Sequence, residues 1–289
     1  MKKKILLFGS TGQIGIALSR VLSKEYELIK YSRDDLNLLD TKIVKDNILK
    51  ICPDIIINAA AYTNVDLAEE EKELANLINS DAVGEMAKAA ELLDIIFIHF
   101  STDYVFDGTS SIAYTELSNT NPINMYGISK LSGENLVVKN CNKYFIFRTS
   151  WVYSSEGDNF LNTMEKLFSS KNQISVIDDQ FGTPNHAVGI SNKILSVLRY
   201  IAKNENENLN NEYGIYNLSN TGKTSWYLFS CELLKKSKHR KTVKIVPIKS
   251  SEYLSKAMRP INTLLSTDKF ENTFKIKMHD WKFELNLNY

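Results

Sequence analysis

The chain has almost no excess charge: 35 Lys and Arg stand against 34 Asp and Glu, a formal net charge of +1. So small an imbalance gives no long-range field to draw the chain onto nucleic acid or an anionic membrane, and neither partner is expected. Cysteine is scarce. Cys52, Cys141 and Cys231 are odd in number, widely separated and without a CxxC pair, which argues against a disulfide framework or a structural zinc site and fits a reducing cytoplasm. Long apolar runs are missing as well. Lys2–Lys4 has the look of a signal-peptide n-region, but only Ile5–Phe8 follows before Gly9. No uninterrupted run elsewhere approaches the ~18–20 apolar residues of a spanning helix, so a soluble, cytoplasmic protein is expected. His99, His186, His239 and His279 show no metal-ligand spacing and read as structural. No internal repeat is present.

With 289 residues, 43% of them hydrophobic, the chain is one large unit or two small ones with ample material for a core. Its first 150 residues alternate short Ile-, Val- and Phe-rich runs with stretches of helical period, the pattern of a parallel α/β sheet. Strands are predicted at Ile5–Phe8, Tyr26–Tyr31, Asp54–Ala59, Ile95–Ser101 and Tyr144–Val152. Helices are predicted at Gln13–Lys24, Lys42–Ile51, Glu70–Leu93 and Tyr126–Lys139. Beyond residue 150 the pattern loosens to short strands at Ile174–Ile177 and Ile215–Leu218 and a helix over Val188–Ala202. Asn204–Asn211 reads as a polar surface loop, and the basic run Lys235–Lys244 as a solvated face.

Gly9-Ser10-Thr11-Gly12-Gln13-Ile14-Gly15 is a GxxGxxG sequence between a predicted strand and a predicted helix. Glycine there lets the chain turn sharply, lets the backbone approach a diphosphate and packs the helix on the sheet, while free N–H groups at the helix start hold the anion. Gly9, Thr11, Gly12, Gln13, Ile14 and Gly15 are therefore candidate cofactor contacts. An acidic residue should end the second strand and bind the adenine ribose. The strand ends instead in Tyr31-Ser32-Arg33, and Ser32 and Arg33 suit a ribose 2′-phosphate, favouring NADPH over NADH. Asp34 and Asp35 follow at once and leave NADH open.

Tyr126 and Lys130 stand at i and i+4, on one face of a helix. An ammonium nearby favours the phenolate, which would lower the tyrosine's pKa and make it a usable acid or base. Spacing alone is weak, since Tyr26/Lys30 and Tyr144/Arg148 share it. Those two pairs fall in predicted strands, where residues four apart are ~13 Å distant. Tyr126/Lys130 lies on a helix downstream of a strand whose carboxyl end carries Ser101-Thr102-Asp103, the end at which open α/β sheets bind ligands. Thr102 is placed to offer its hydroxyl to the same reacting oxygen.

These residues resemble the extended short-chain dehydrogenase/reductases and, among them, the dTDP-4-dehydrorhamnose reductase family. The similarity runs over nearly the whole chain: Gly9–Gly15, Asn58–Asp66, Ser101–Gly108, Tyr126–Lys130 with Gly133-Glu134, Arg148–Tyr153, Asp179–Pro184 and Arg259–Asn262. The resemblance implies a Rossmann-type doubly wound parallel sheet with a smaller C-terminal substrate-binding lobe. An NAD(P)-binding domain over 1–150, completed by part of 186–219, would precede a mainly substrate-binding lobe over 151–289. It implies reduction of the C4 keto group of a nucleotide-linked 4-keto-6-deoxy sugar, dTDP-4-dehydro-L-rhamnose to dTDP-L-rhamnose for surface polysaccharide synthesis. In that chemistry NADPH or NADH delivers hydride and Tyr126 protonates the oxygen. Lys130 tunes Tyr126 and binds the nicotinamide ribose, and Thr102 orients the carbonyl. Ala59, Ala60, Ala61 and Thr63 would line the cofactor, with Asn37 and Leu38 on its adenosine side. Val65, Asp103, Tyr104 and Trp151 would surround the sugar, and Arg259 would meet the diphosphate.

Some members of the resembled family hold Mg²⁺ at a dimer interface through glutamates. Here Ile16-Ala17 stands at one such place, so no structural metal is expected, and the chain is expected as a monomer or homodimer. Asn185 and Asn217 also depart from the family's usual threonine and histidine. Dehydratases of the superfamily carry Thr-Asp-Glu where this chain has Thr102-Asp103-Tyr104. Two alternatives stay open: a reductase of another nucleotide-linked ketosugar, and an NADP-binding regulatory subunit resembling that of methionine adenosyltransferase.

Overall fold

A computed structural model describes residues 2–204 and 209–289. In chain order it runs β1 (Lys4–Phe8), α1 (Gln13–Leu22), β2 (Glu27–Tyr31), α2 (Thr41–Ile51), β3 (Ile55–Asn58), α3 (Val65–Ala68), α4 (Lys72–Asn76), a π turn at Leu77–Asp81, α5 (Ala82–Leu92) and β4 (Ile96–Thr102). A 3₁₀ turn at Asp103–Val105, α6 (Met125–Asn140), β5 (Tyr144–Thr149), β6 (Val152–Tyr153), α7 (Phe160–Ser170), β7 (Gln173–Ile177), β8 (Phe181–Gly182) and β9 (Asn185–His186) follow. The chain ends with α8 (Ala187–Lys203), β10 (Gly214–Asn217), β11 (Thr224–Ser225), α9 (Trp226–Lys236), β12 (Lys244–Ile248), α10 (Asp268–Phe274) and α11 (Trp281–Asn288). Residues 205–208 of the polar stretch lie outside the described residues. No helix among the described residues is long and apolar enough to cross a membrane.

Six parallel strands form the central sheet in the order β10-β5-β4-β3-β1-β2. β1 and β3 are buried along almost their whole length, as parallel strands covered on both faces must be. On one face α1 and α8 pack with Leu18, Leu22, Ile190, Ile194 and Val197 against Ile5, Leu7 and Ile57. On the other, Val44 and Ile48 of α2 and Val83, Met86 and Ala90 of α5 meet Leu6, Phe8 and Ile56. β10 shows that the chain past residue 200 adds the last strand beside β5. The remaining C-terminal elements build a separate apolar cluster from α7, β7, α9 and α11 around Phe168, Phe229 and Trp281.

Two readings need correction. Tyr144–Val152 is not one strand. It breaks after Thr149, and Trp151 takes a left-handed φ of +45°. Asn185 brackets that turn: its Nδ2 donates to Ser150 O (2.7 Å) and Thr183 O (2.8 Å), and its backbone N–H donates to Trp151 O (3.1 Å). The helix placed at Glu70–Leu93 starts at Lys72, after a separate one-turn helix α3 at Val65–Ala68, and carries the π turn. That extra residue per turn swings Asn79 inward, where its amide clasps Tyr62 N–H (2.8 Å) and Tyr62 O (3.0 Å) and donates to Ser129 Oγ on α6 (3.0 Å).

Helix α6 sits unusually close to its neighbours. Asn124 caps it by accepting from Gly127 N–H at 2.8 Å, and a Cβ on Gly127 would stand 2.2 Å from Tyr104 O. Its inner face carries a charge. Glu134, 1% exposed, accepts from Arg148 Nε (2.9 Å) and Nη2 (2.6 Å) of β5 and from Ser101 Oγ (2.5 Å) of β4. One carboxylate therefore ties α6 to two strands at once.

Glu134→Ala leaves the Arg148 guanidinium buried and unpaired, and is expected to lower stability by about 3–5 kcal/mol in urea unfolding. The double variant Glu134→Leu/Arg148→Met, which removes both charges, is expected to recover most of that. A single variant as stable as wild type would contradict the assigned clamp.

Candidate active site

The sheet order reverses between β1 and β3, and the crevice outside their carboxyl ends is where such sheets take ligands. Gly9 turns there with φ +74°, so close to the next strand that a Cβ would lie 2.5 Å from Ala60 N. A Cβ on Gly15 would lie 2.0 Å from Gly9 O. The first helical bond of α1 runs from Ile16 N–H to Gly12 O (2.8 Å), with no side chain capping the helix. The N–H groups of Gln13, Ile14 and Gly15 thus precede the helical ladder and face the crevice end, a cradle suited to a dinucleotide's diphosphate. Thr11 is exposed, Ala59, Ala60 and Ala61 are half-buried along the crevice and Thr63 is exposed. Gln13 is also engaged from across the molecule, its Oε1 accepting from Ser154 Oγ at 3.1 Å.

At the end of β2 the Asp35 carboxylate accepts from Ser32 N–H (2.8 Å) and Ser32 Oγ (2.6 Å), contacts that hold its pKa below the usual carboxylate value. The Ser32 hydroxyl is therefore already committed. Arg33 is exposed and forms no ion pair among the described residues. Asn37 Oδ1 accepts from Leu39 N–H (3.1 Å), shaping the loop in which Leu38 packs against the core.

Thr102, Tyr126 and Lys130 come together at the carboxyl end of β4. The Thr102 hydroxyl sits beside the Tyr126 phenol and donates to Asp103 Oδ1 at 2.9 Å. Lys130, 2% exposed, donates from Nζ to Phe100 O at 2.7 Å and lies 3.3 Å from His99 Nε2. The expected lowering of the tyrosine does not occur. Burial pushes the Tyr126 phenol up to about 12 against the opposing pull of the Thr102 hydroxyl, while burial pushes the Lys130 ammonium down to about 8 against the opposing pull of Glu134. Desolvation outweighs the Thr102 hydroxyl at the phenol and the Glu134 charge at the ammonium. Tyr126 is thus a fully protonated phenol near neutral pH.

The Tyr104 ring meets the Tyr126 ring edge-on, with centroids 5.7 Å apart. Burial raises the Asp103 carboxyl to about 7 against the opposing pull of the Thr263 and Thr102 hydroxyls. Arg259 reaches the same place from the C-terminal part of the chain and lies beside the Tyr104 phenol. It is not free. Its Nη2 and Nη1 donate to Asp66 Oδ2 and Oδ1 at 2.7 and 3.3 Å, and this pairing holds the Asp66 carboxyl well below the usual range. Val65 opens α3 beside Asp66. Thr102 pairs in register with Thr149, so Ser150 and Trp151 leave the sheet next to it, and Trp151 stacks on Trp226 with centroids 3.5 Å apart and planes 6° from parallel.

Sequence reading missed the Asp66–Arg259 pair, the Trp226 partner of Trp151, and Asn79. It also left Asn185 and Asn217 undecided. Asn217 is a buried anchor whose Nδ2 donates to Tyr114 O (2.9 Å) and Ser266 O (2.9 Å).

Known proteins resemble this chain over nearly its whole length. The dTDP-4-dehydrorhamnose reductase of Salmonella typhimurium is 38% identical over 96% of this chain and 94% of its own. The dTDP-4-dehydrorhamnose reductase of Burkholderia thailandensis is 36% identical over 98% of this chain and 97% of its own. Among solved structures, the dTDP-4-dehydrorhamnose reductase of Bacillus anthracis in complex with NADP superposes with a TM-score of 0.88 at 34% identity, covering 100% of this chain and 99% of that one. Residues 2–288 match the family described as the RmlD substrate binding domain. A match over so nearly all of the chain, together with relatives above one-third identity, means that this chain belongs to that family.

Proposed function

We propose that the protein reduces the C4 keto group of dTDP-4-dehydro-L-rhamnose to give dTDP-L-rhamnose for a surface polysaccharide. The observation that carries this reading is the meeting of the Thr102 and Tyr126 hydroxyls at the carboxyl end of β4, with Lys130 one helical turn on. The bound NADPH, or less effectively NADH, supplies the hydride.

The chain's own groups handle the carbonyl oxygen. Thr102 and Tyr126, already side by side, both turn their hydroxyls to it, which orients the carbonyl and polarises it. As negative charge grows on that oxygen, Tyr126 gives up its proton. A phenol whose pKa is raised holds its proton until the oxygen is basic enough to take it, which suits a general acid. Lys130, anchored by Phe100 O, holds the compensating positive charge and returns a proton to the tyrosine. Asp103, Tyr104, Val65 and Trp151 enclose the sugar. The diphosphate replaces Asp66 as partner of the Arg259 guanidinium. The glycine turn holds the cofactor diphosphate, with Ala59, Ala60, Ala61 and Thr63 along its length, Asn37 and Leu38 at its adenosine side, and Arg33 at the 2′-phosphate. In this reading residues 1–150 with part of 186–219 bind the cofactor, and 151–289 mainly bind the sugar nucleotide.

Tyr126→Phe keeps the ring and removes the proton. Turnover is expected to fall by roughly 10²–10⁴ while NADPH affinity, read by fluorescence, hardly changes. Tyr26→Phe, a tyrosine with the same spacing to a lysine but just ahead of β2, is expected to be silent. A Tyr126→Phe enzyme retaining half its kcat would remove Tyr126 from the chemistry.

Wild type is expected to prefer NADPH over NADH by roughly 5–30-fold in kcat/KM, the worth of one exposed charged contact, and less at high salt. Arg33→Ala is expected to erase most of that preference. An unmoved ratio would show that Arg33 does not meet the 2′-phosphate.

A further inference from the structure

His99 is a fully buried histidine in the middle of β4, and none of the roles assigned above uses it. Its two ring nitrogens have different partners. Asn58 Nδ2 lies 3.1 Å from Nδ1, and Lys130 Nζ lies 3.3 Å from Nε2. The Asn58 amide cannot turn round, because its Oδ1 accepts from Ala60 N–H at 3.0 Å. Its Nδ2 therefore faces the ring and must donate to Nδ1. Complete burial keeps the ring neutral, well below its usual pKa. A neutral imidazole that accepts at Nδ1 carries its one hydrogen on Nε2. That N–H points at Lys130 Nζ.

An ammonium has no lone pair to receive it, whereas a neutral amine has one. Lys130 as an amine satisfies every neighbour: it donates to Phe100 O, accepts from His99 and keeps one N–H for other contacts. We propose that His99 is a positioning residue for Lys130, its Nε2–H set by Asn58 so that it holds Nζ in place and stabilises the amine form. The inference rests on the reductase reading. When Tyr126 has given its proton away, phenolate and ammonium return to phenol and amine by the net move of one proton from Lys130 to Tyr126, and Lys130 later regains a proton from solvent. His99 pulls that step forward by giving the amine a hydrogen-bond donor.

The other groups around Lys130 do not replace this effect. Glu134, one turn on along α6, favours the ammonium but is itself paired with Arg148 of β5. Tyr126, one turn back, is a neutral phenol. The 3₁₀ turn after β4 brings Asp103, whose carboxyl sits near 7. The π turn faces α6 with neutral groups, Asn79 on Ser129 and Ser80 on Ser132.

Nitrogen-15 NMR of the histidine rings in the free wild-type protein reads the tautomer directly. His99, assigned by its loss in His99→Phe or His99→Gln, is expected as the Nε2–H form and not to titrate from about pH 6 to about pH 9. An Nδ1–H tautomer overturns the proposal. Carbon-13 labelling at lysine Cε then follows Lys130. In His99→Phe, which fills the same space without an N–H, its midpoint is expected to rise by roughly 0.4–1 pH unit, the worth of one neutral hydrogen bond. The basic limb of kcat/KM should rise with it. An unchanged or lower midpoint, as burial alone would give, also overturns the proposal. If the wild type fails to turn over the sugar nucleotide, the reductase reading falls, while the tautomer and the Lys130 midpoint still decide what His99 does.

Discussion

Glu134 and Arg148 neutralise one another beneath the site, each almost fully buried, and helix α6 cannot leave the sheet without separating them. Tyr126 and Lys130 lie two turns and one turn before Glu134 on that helix, so their heights above β4 are set by the same clamp. Ser101, which donates to Glu134, immediately precedes Thr102. A single charged contact thus aligns Thr102 on the strand with Tyr126 and Lys130 on the helix. A surface ion pair would be too weak to do this, because solvent screens it and its side chains lose entropy in forming it. Burial makes breaking the pair expensive, and that gives the alignment its rigidity.

Burial also creates the chemical gradient of the site. In water a tyrosine and a lysine hold their protons with similar strength. Here the phenol moves up and the ammonium moves down, because removing water penalises the charged form of each. The proton is accordingly held more tightly by Tyr126 than by Lys130. That ordering favours recharging of the acid after each turnover. On the opposite side, Asp66 occupies Arg259 in the free protein, so under the proposed reading a diphosphate must outcompete a carboxylate already in place.

Much of this was legible in the sequence where the cause is local. The turn at Gly9–Gly15 combines a strand, three glycines and a helix within a dozen residues, and the structure forms it as read. Buried parallel strands such as Ile55–Asn58 are short apolar runs that periodicity finds readily. Illegible features depend on distant partners. The break at Trp151 is held by Asn185 and Trp226, and the pairing of Arg259 with Asp66 joins residues 193 apart in the chain. The direction of the Tyr126 shift was misread because i, i+4 spacing reveals a neighbouring charge but not the exclusion of water. Short C-terminal helices such as Asp268–Phe274 and Trp281–Asn288 carry too few turns for their apolar faces to stand out.

The central claim is that Thr102, Tyr126 and Lys130 form a reducing site for a 4-keto sugar nucleotide. The most direct test mixes the wild-type protein with NADPH and freshly prepared dTDP-4-dehydro-L-rhamnose, follows loss of the NADPH absorbance and identifies the product. The account predicts stoichiometric NADPH oxidation with formation of dTDP-L-rhamnose. Tight NADPH binding with no oxidation in the presence of that substrate would contradict it.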